Sequence, residues 1–126
     1  MDVLTELRSG RKQSHWMWFI FPQHRALGRS AAAVKYGLTS LAEAQAFLAH
    51  PLLGARLREC TDLILAAPRD LSAHDILGSP DDLKFHSCMT AFELAAPDES
   101  RFHDALVRFF SGVRDARSVD QFSRVR

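Results

Sequence analysis

The stretch PLLGARLRECTDLIL, residues 51–65, has the clearest helical pattern in this sequence. Its apolar side chains recur every three or four residues and so share one helix face: Leu52, Leu53, Leu57, Cys60, Leu63 and Ile64. Pro51 suits the first turn of such a helix, where a missing N–H costs little, and Pro68 ends the pattern. The pattern therefore predicts a core helix between these two prolines.

Capping signals on both sides of this stretch predict further short helices. Serines that can cap a helix occur at Ser14, Ser30, Ser40, Ser72 and Ser79. The last of them is followed by Pro80 at the first helical position and by two aspartates, which favour a helix N-terminus. No segment shows the two-residue alternation of a half-buried strand. We therefore expect an all-α fold, a compact single-domain bundle of about six to eight short helices over residues 1–126.

The composition is that of one globular domain. The chain has 126 residues, of which 47% are hydrophobic and 25% charged, with nine Phe and two Trp. The strongest apolar run, residues 16–21, is too short to cross a bilayer, and the N-terminus lacks a secretory pattern, which favours a cytoplasmic location. Cys60 and Cys88 lack disulfide-framework or zinc-site spacing, so we expect two reduced thiols, no metal and no cofactor.

The charges are distributed unevenly along the chain. No carboxylate occurs between Glu6 and Glu43, whereas six cations do: Arg8, Arg11, Lys12, Arg25, Arg29 and Lys35. The stretch from Glu43 to Asp82 is mainly acidic. Such blocks either attract an anionic ligand or form ion pairs with each other across the fold, and the sequence leaves both open. The small net charge of +1 disfavours nucleic acid as a partner.

Two strings, GRKQSHWMWFIFPQ at residues 10–23 and GSPDDLKF at residues 78–85, resemble the bacterial domain-of-unknown-function 1810 family, sometimes mislabelled calpastatin. The likeness covers most of the chain. It implies an all-α fold, and it implies no activity because none is established for the family. Family members usually carry an extra N-terminal helix before the segment matching Val3 to Gly10; without it we expect a monomer, or a homodimer if an apolar groove is exposed. Cys88 stands where the family more often has serine.

The first candidate site is the aromatic run with the cations around it. His15 has the chemistry of a general acid or base, or of a hydrogen-bond donor to a phosphate, and neighbouring cations favour its neutral form. The Gly-Arg-Ser sequence at residues 28–30 precedes a predicted helix, where amides and a guanidinium can hold an anion. The candidate ligand-binding residues are Arg11, Lys12, Trp16, Trp18, Gln23, Arg29 and Ser30. The alternatives are a buried structural histidine and simple helix capping.

The second candidate site is one side of the helix predicted over residues 80–96. Lys84 stands one turn before Ser87, and a lysine so placed can lower the pKa of a nucleophile or bind an anion. The candidates are Lys84 and Ser87 as catalytic residues, together with His15, and Asp81 and Thr90 as ligand-binding residues. The alternative is a polar helix face, which includes Cys88 and Ala91 and whose ion pair contributes little energy.

Two functions remain open from the sequence. The first is binding of, or modest enzymatic action on, a small anionic metabolite that is phosphorylated or nucleotide-like. In this hypothesis the cations hold the charge, a tryptophan stacks on a ring and His15 handles protons. The second is a non-catalytic protein-interaction module whose aromatic segment is purely structural. The first requires the early cations, the aromatic run and Lys84 to converge in space, whereas the second only requires the run to fill the core.

Overall fold

The computed structural model describes residues 3–11, 17–27 and 37–123, without the side chains of Trp18 and Phe19. These ranges form α1 (Val3–Arg8), α2 (Met17–Ile20), a 3-10 turn (Arg25–Leu27), α3 (Leu41–Ala49), α4 (Leu53–Leu65), α5 (Ala73–Leu77), α6 (Asp81–Ala95), α7 (Ser100–Phe110) and α8 (Ala116–Ser123). Within them the only β-type pairing is an isolated parallel bridge between His24 and Leu38. The all-α prediction is confirmed. None of the helices in these ranges has the length and apolar character needed to span a bilayer.

Several helix boundaries follow from local chemistry that is visible in the sequence. The hydroxyl of Ser40 accepts a hydrogen bond of 3.1 Å from the Glu43 N–H at the start of α3. Ser72 and Asp75 form a reciprocal capping box at the start of α5. Gly10 follows α1 with a φ of 79°, a conformation that favours glycine because it has no Cβ. The caps predicted at Ser40 and Ser72 are confirmed.

Two predicted helix starts are wrong. Pro51 lies before α4, because the imidazole Nδ1 of His50 accepts hydrogen bonds from two N–H groups at the start of this helix and acts as its cap. Ser79 does not cap α6, since Pro80 occupies the capping position and offers no side-chain hydrogen bond. The turn that precedes α6 is closed by a hydrogen bond from the Asp82 N–H to a carbonyl at residue 78, so the helix begins one residue later than predicted.

The helix α6 lies at the centre of the described structure and packs against α3, α5, α7 and α8. Its side chains Phe85 and Phe92 are completely buried. The ring of Phe92 lies 5.6 Å from that of Phe102 of α7, and the ring of Phe85 lies 5.2 Å from that of Phe21, which follows α2. Aromatic contacts of this kind add to the free energy gained by burying apolar surface. The core is thus organised around one helix.

Arginines attach the helices around α6 to one another. The guanidinium of Arg58 on α4 donates hydrogen bonds of 2.6 and 3.3 Å to the carboxylate of Glu99 and one of 3.2 Å to the Leu48 carbonyl. Arg108 of α7 donates to carbonyl groups at the C-terminal end of α4, including that of Pro68 at 2.8 Å. The last carbonyls of a helix have no partner inside it. Arg108 supplies a donor to the Leu65 carbonyl and a second donor to those of Ile64 and Pro68, which also accept from the N–H groups of Ala67 and Leu71.

Gly54 marks the closest approach between α3 and α4. A Cβ placed on it would lie 2.0 Å from the carbonyl oxygen of Leu48. That oxygen belongs to the backbone at the end of α3 and already accepts a hydrogen bond from Arg58, so it has little freedom to move. The close packing of these two helices therefore requires glycine at this position.

We predict that Gly54→Ala lowers the free energy of unfolding by about 2 kcal/mol or more, because overpacking outweighs the gain in helix propensity of about 1 kcal/mol. Urea unfolding measures the change. The matched control is Ala55→Gly at the next, exposed position, which should cost only the propensity difference of about 1 kcal/mol. A Gly54→Ala protein more stable than the parent would contradict the close approach.

Candidate functional site

Lys84 and Asp81 lie on the first turn of α6. Their Nζ and Oδ1 atoms are 3.8 Å apart, and the two side chains are 23% and 18% exposed, so the pair is partly shielded from water. On the same turn, the carboxylate of Asp82 lies 3.5 Å from the imidazole Nδ1 of His74. The start of α6 therefore places one lysine and two carboxylates next to the positive end of the helix dipole.

The end of the aromatic run lies against the same turn. Phe21 is 1% exposed, and its ring meets that of Phe85 edge-on with an interplanar angle of 89°. Phe85 is the sequence neighbour of Lys84, so the contact brings the run close to the lysine. Met17 and Ile20 of α2 are buried as well. The described part of the run is core, as the second hypothesis expects, and Phe21 contacts the residue next to Lys84.

Gln23 follows the run and is buried, with 8% exposure. Two backbone hydrogen bonds to Leu38 fix this segment. The Gln23 carbonyl accepts one of 2.8 Å from the Leu38 N–H, and the Arg25 N–H donates one of 2.7 Å to the Leu38 carbonyl. The side-chain carboxamide of Gln23 has no hydrogen-bond partner among the residues that the structure describes. A buried polar group in this state is unusual in a folded protein.

His24 connects this segment to the last helix. Its ring packs edge-on against Phe122 of α8, with 4.7 Å between centroids. Nδ1 accepts a hydrogen bond of 3.0 Å from the Ala26 N–H, which leaves Nε2 to carry the proton of the neutral ring. Burial lowers the pKa of His24 and so favours this neutral form. Sequence reasoning did not single out this residue.

The hydroxyl groups of Ser87 and Thr90 face α8. Ser87 Oγ donates a hydrogen bond of 3.0 Å to Asp115 Oδ2, and Thr90 Oγ1 accepts one of 2.9 Å from the Asp115 N–H. The same carboxylate oxygen accepts hydrogen bonds from the N–H and the hydroxyl of Ser118, at 3.0 and 2.6 Å. We call Ser87, Thr90, Asp115 and Ser118 the hydroxyl–carboxylate cluster. It caps α8 and attaches it to α6.

The side of α6 that was expected to be polar is buried. Ser87 is 7% exposed, and Cys88, Thr90 and Ala91 are completely buried. These side chains are small enough for neighbouring helices to approach closely, so a surface that looks polar in sequence becomes a packing surface. Burial also raises the pKa of the Cys88 thiol, and it raises that of Cys60 to about 12. Neither thiol is therefore a nucleophile near neutral pH.

The cluster contains two residues that sequence reasoning missed in this role. The last helix begins at Ala116, with the Asp115 carbonyl accepting a hydrogen bond from the Val119 N–H. Aspartate is among the preferred capping residues, and this preference was the available signal. Nothing in the sequence indicates that the same carboxylate reaches Ser87, which lies 28 residues earlier.

The remaining candidates divide into described and undescribed residues. Arg11 is exposed, and its N–H donates to the Glu6 carbonyl at 3.1 Å. None of the ion pairs within the described ranges joins Arg8, Arg11 or Arg25 to the acidic stretch; Asp62, for instance, pairs with Arg101 at 3.0 Å. The following candidates lie outside the described residues: Lys12, His15, Trp16, Arg29, Ser30 and the side chain of Trp18.

We predict that Asp115→Ala lowers the free energy of unfolding by roughly 2–4 kcal/mol, because it removes the α8 cap and the carboxylate that accepts charge-assisted hydrogen bonds from Ser87 and Ser118. Asp115→Asn should cost less, since asparagine also caps helices. Urea unfolding and amide hydrogen exchange of α8 measure the effects. Asp104→Ala, at an exposed position of α7, is the control and should change stability by less than about 0.5 kcal/mol. Equal losses at both positions would contradict the role of the cluster.

Comparisons with known proteins place the sequence among proteins without an assigned activity. A family model described as "Protein of unknown function (DUF1810)" matches residues 1–122. The chain is similar to the conserved hypothetical protein Rv1873 from Mycobacterium tuberculosis, known from a crystal structure, with 48% sequence identity and a TM-score of 0.93. The match covers 98% of this chain and 87% of that chain. No curated protein matches the sequence.

Proposed function

The chain belongs to the DUF1810 family of proteins of unknown function, and from its own geometry we propose that it binds a small anionic metabolite, phosphorylated or nucleotide-like. The proposed site lies where the segment after α2 meets the first turn of α6.

The observation that carries this proposal is the contact between Phe21 and Phe85, with ring centroids 5.2 Å apart. It places Lys84, a cation that is only 23% exposed, beside buried aromatic surface. A cation in partly dehydrated surroundings attracts an anion more strongly than one in bulk water. The ion pair with Asp81, 3.8 Å away, keeps the ammonium group on the first turn of α6, where a lysine can form a charge-assisted hydrogen bond to a phosphate oxygen.

The charge distribution supports the same site. The sequence left open whether the basic and acidic stretches form ion pairs with each other. Among the described ion pairs, none joins the acidic stretch to Arg8, Arg11 or Arg25, so for these three arginines the ion-pair alternative loses support. All three arginines are exposed and contribute a positive potential that attracts anions. The proposal also includes, as further anion-binding, stacking and proton-transfer residues, Lys12, His15, Trp16, Trp18, Arg29 and Ser30.

Binding is the part of the hypothesis that the described geometry favours over reaction. The Ser87 hydroxyl donates to Asp115 in a buried cluster that holds α8, and Thr90 accepts from the same residue. In this proposal these two residues act by keeping α8 in place. Asp81 acts by holding the ammonium group of Lys84 near the first turn of α6 until an anion replaces it.

We predict that a sugar phosphate or nucleotide at about ten times its Kd raises the melting temperature by roughly 5 °C, since ligand binding stabilises the native state by mass action. Differential scanning fluorimetry with a panel of these compounds measures the shift. Lys84→Met should weaken binding by about tenfold through loss of a charge-assisted hydrogen bond. The matched control is Arg117→Gln, which removes an exposed charge on α8 and should leave affinity unchanged. Absence of a shift with every compound would contradict the proposal.

A second candidate function is a non-catalytic interaction module, and a specific surface favours it. Leu83 and Val113 are 62% and 60% exposed. Leu83 lies one turn before His86, whose Nε2 is 2.7 Å from the Val113 carbonyl oxygen and whose ring stacks on Phe110 at 4.0 Å. Exposed apolar side chains around a stacked ring pair are typical of protein-binding surfaces. The partner considered for this surface is a second copy of the chain.

If this surface forms a homodimer, Leu83→Glu should convert a dimer into a monomer, because a carboxylate cannot be buried there without a large desolvation cost. Light scattering coupled to size-exclusion chromatography measures the mass of both proteins at micromolar concentration. Leu52→Glu, at another exposed apolar position (51% exposed), is the control and should keep the parent's mass. A monomeric parent protein would remove the support for this assembly.

A further inference from the structure

We infer that Gln23 recognises the edge of a nucleobase, so that the anionic ligand is a nucleotide rather than a simple sugar phosphate. This inference rests on the proposed function and specifies its ligand. The carboxamide of Gln23 is buried and has no hydrogen-bond partner among the described residues. A bound ligand would supply that partner.

Two observations define the state of this side chain. Gln23 is only 8% exposed, so water does not hydrate it freely. Its backbone carbonyl is used by the Leu38 N–H at 2.8 Å, but no described residue donates to its Oε1 or accepts from its Nε2. By contrast, the carboxamide of Gln45 donates a hydrogen bond of 3.1 Å from Nε2 to the Ala95 carbonyl. Gln23 thus has the burial of a structural amide without the hydrogen bonds of one.

The position of Gln23 is rigid enough for recognition. The hydrogen bonds to Leu38 on both sides of His24 fix the backbone in a parallel bridge. Phe21, two residues earlier, is locked against Phe85, and the ring of His24 is held against Phe122. A polar group on a rigid backbone loses little conformational entropy when it binds a ligand, which favours both affinity and selectivity.

The chemistry of a carboxamide then restricts the ligand. Nε2 donates two hydrogen bonds and Oε1 accepts, so a partner that satisfies the whole group must offer an acceptor and a donor side by side. Phosphate oxygens at neutral pH mainly accept, and they would leave Oε1 without a partner. Nucleobases present adjacent donors and acceptors on their edges, and glutamine pairs with adenine in this two-bonded manner. The contact between Phe21 and Phe85 joins the segment that carries Gln23 to the turn that carries Lys84, so the inferred nucleotide has its base at Gln23 and its phosphate at Lys84.

The test compares Gln23→Met with the parent protein, because methionine has a similar length and no hydrogen-bonding amide. Titration calorimetry with the four common nucleoside monophosphates, ribose 5-phosphate and inorganic phosphate measures affinity, and thermal unfolding without ligand measures stability. Gln45→Met, at an exposed position, is the control for loss of a carboxamide that does have a partner.

We expect at least one nucleotide to bind about tenfold or more tightly than ribose 5-phosphate, and Gln23→Met to remove that advantage while ribose 5-phosphate binding persists. The melting temperature of unliganded Gln23→Met should equal or exceed that of the parent, whereas Gln45→Met should lower it and leave nucleotide affinity unchanged.

Three results would overturn the inference. If ribose 5-phosphate binds as tightly as every nucleotide and Gln23→Met changes neither, the anion site stands but nucleobase recognition is wrong. If Gln23→Met lowers the melting temperature of the unliganded protein below that of the parent, the Gln23 amide is structural. If none of the anions binds, the proposed function itself fails and this inference fails with it.

Discussion

The burial of α6 on several sides is the constraint on which the rest of the described structure depends. A helix enclosed by α3, α5, α7 and α8 cannot keep a polar side chain that lacks a partner, because dehydration of such a group costs more than packing returns. Ser87 and Thr90 are accordingly bonded to Asp115, and the thiol of Cys88 stays protonated. The first turn of α6, with Asp81, Asp82 and Lys84, keeps partial access to water, as do His86 and Glu93 further along the helix.

In the proposed function, the ligand binds at this accessible first turn. Phe21 packs on Phe85 just after that turn, and Gln23 follows it with a fixed backbone and a carboxamide that has no hydrogen-bond partner among the described residues. The hydroxyl–carboxylate cluster lies on the enclosed part of α6 and fixes α8, whose Phe122 covers the ring of His24. The cluster is therefore best understood as the support of the segment that follows α2, rather than as a place where a ligand is bound.

Part of the candidate site could be predicted from sequence, and the reason differs for each residue. Lys84 and Asp81 were identified correctly as neighbours, since residues three positions apart on a helix share a face. The expected polar face beyond them was wrong, because serine, threonine, cysteine and alanine are equally compatible with a hydrated surface and with close helix packing. Asp115 was missed because its contact with Ser87 joins distant segments, and no local pattern encodes such a contact.

The sequence by itself determined the all-α class, the caps at Ser40 and Ser72 and the glycine turn after α1, because each depends on interactions within a few residues. Only the tertiary structure decided that Gly54 must lack a side chain and that the carboxamide of Gln23 is buried without a described partner. The physical reason is range: capping and helical periodicity act over one or two turns, whereas burial and close approach depend on where separate helices meet.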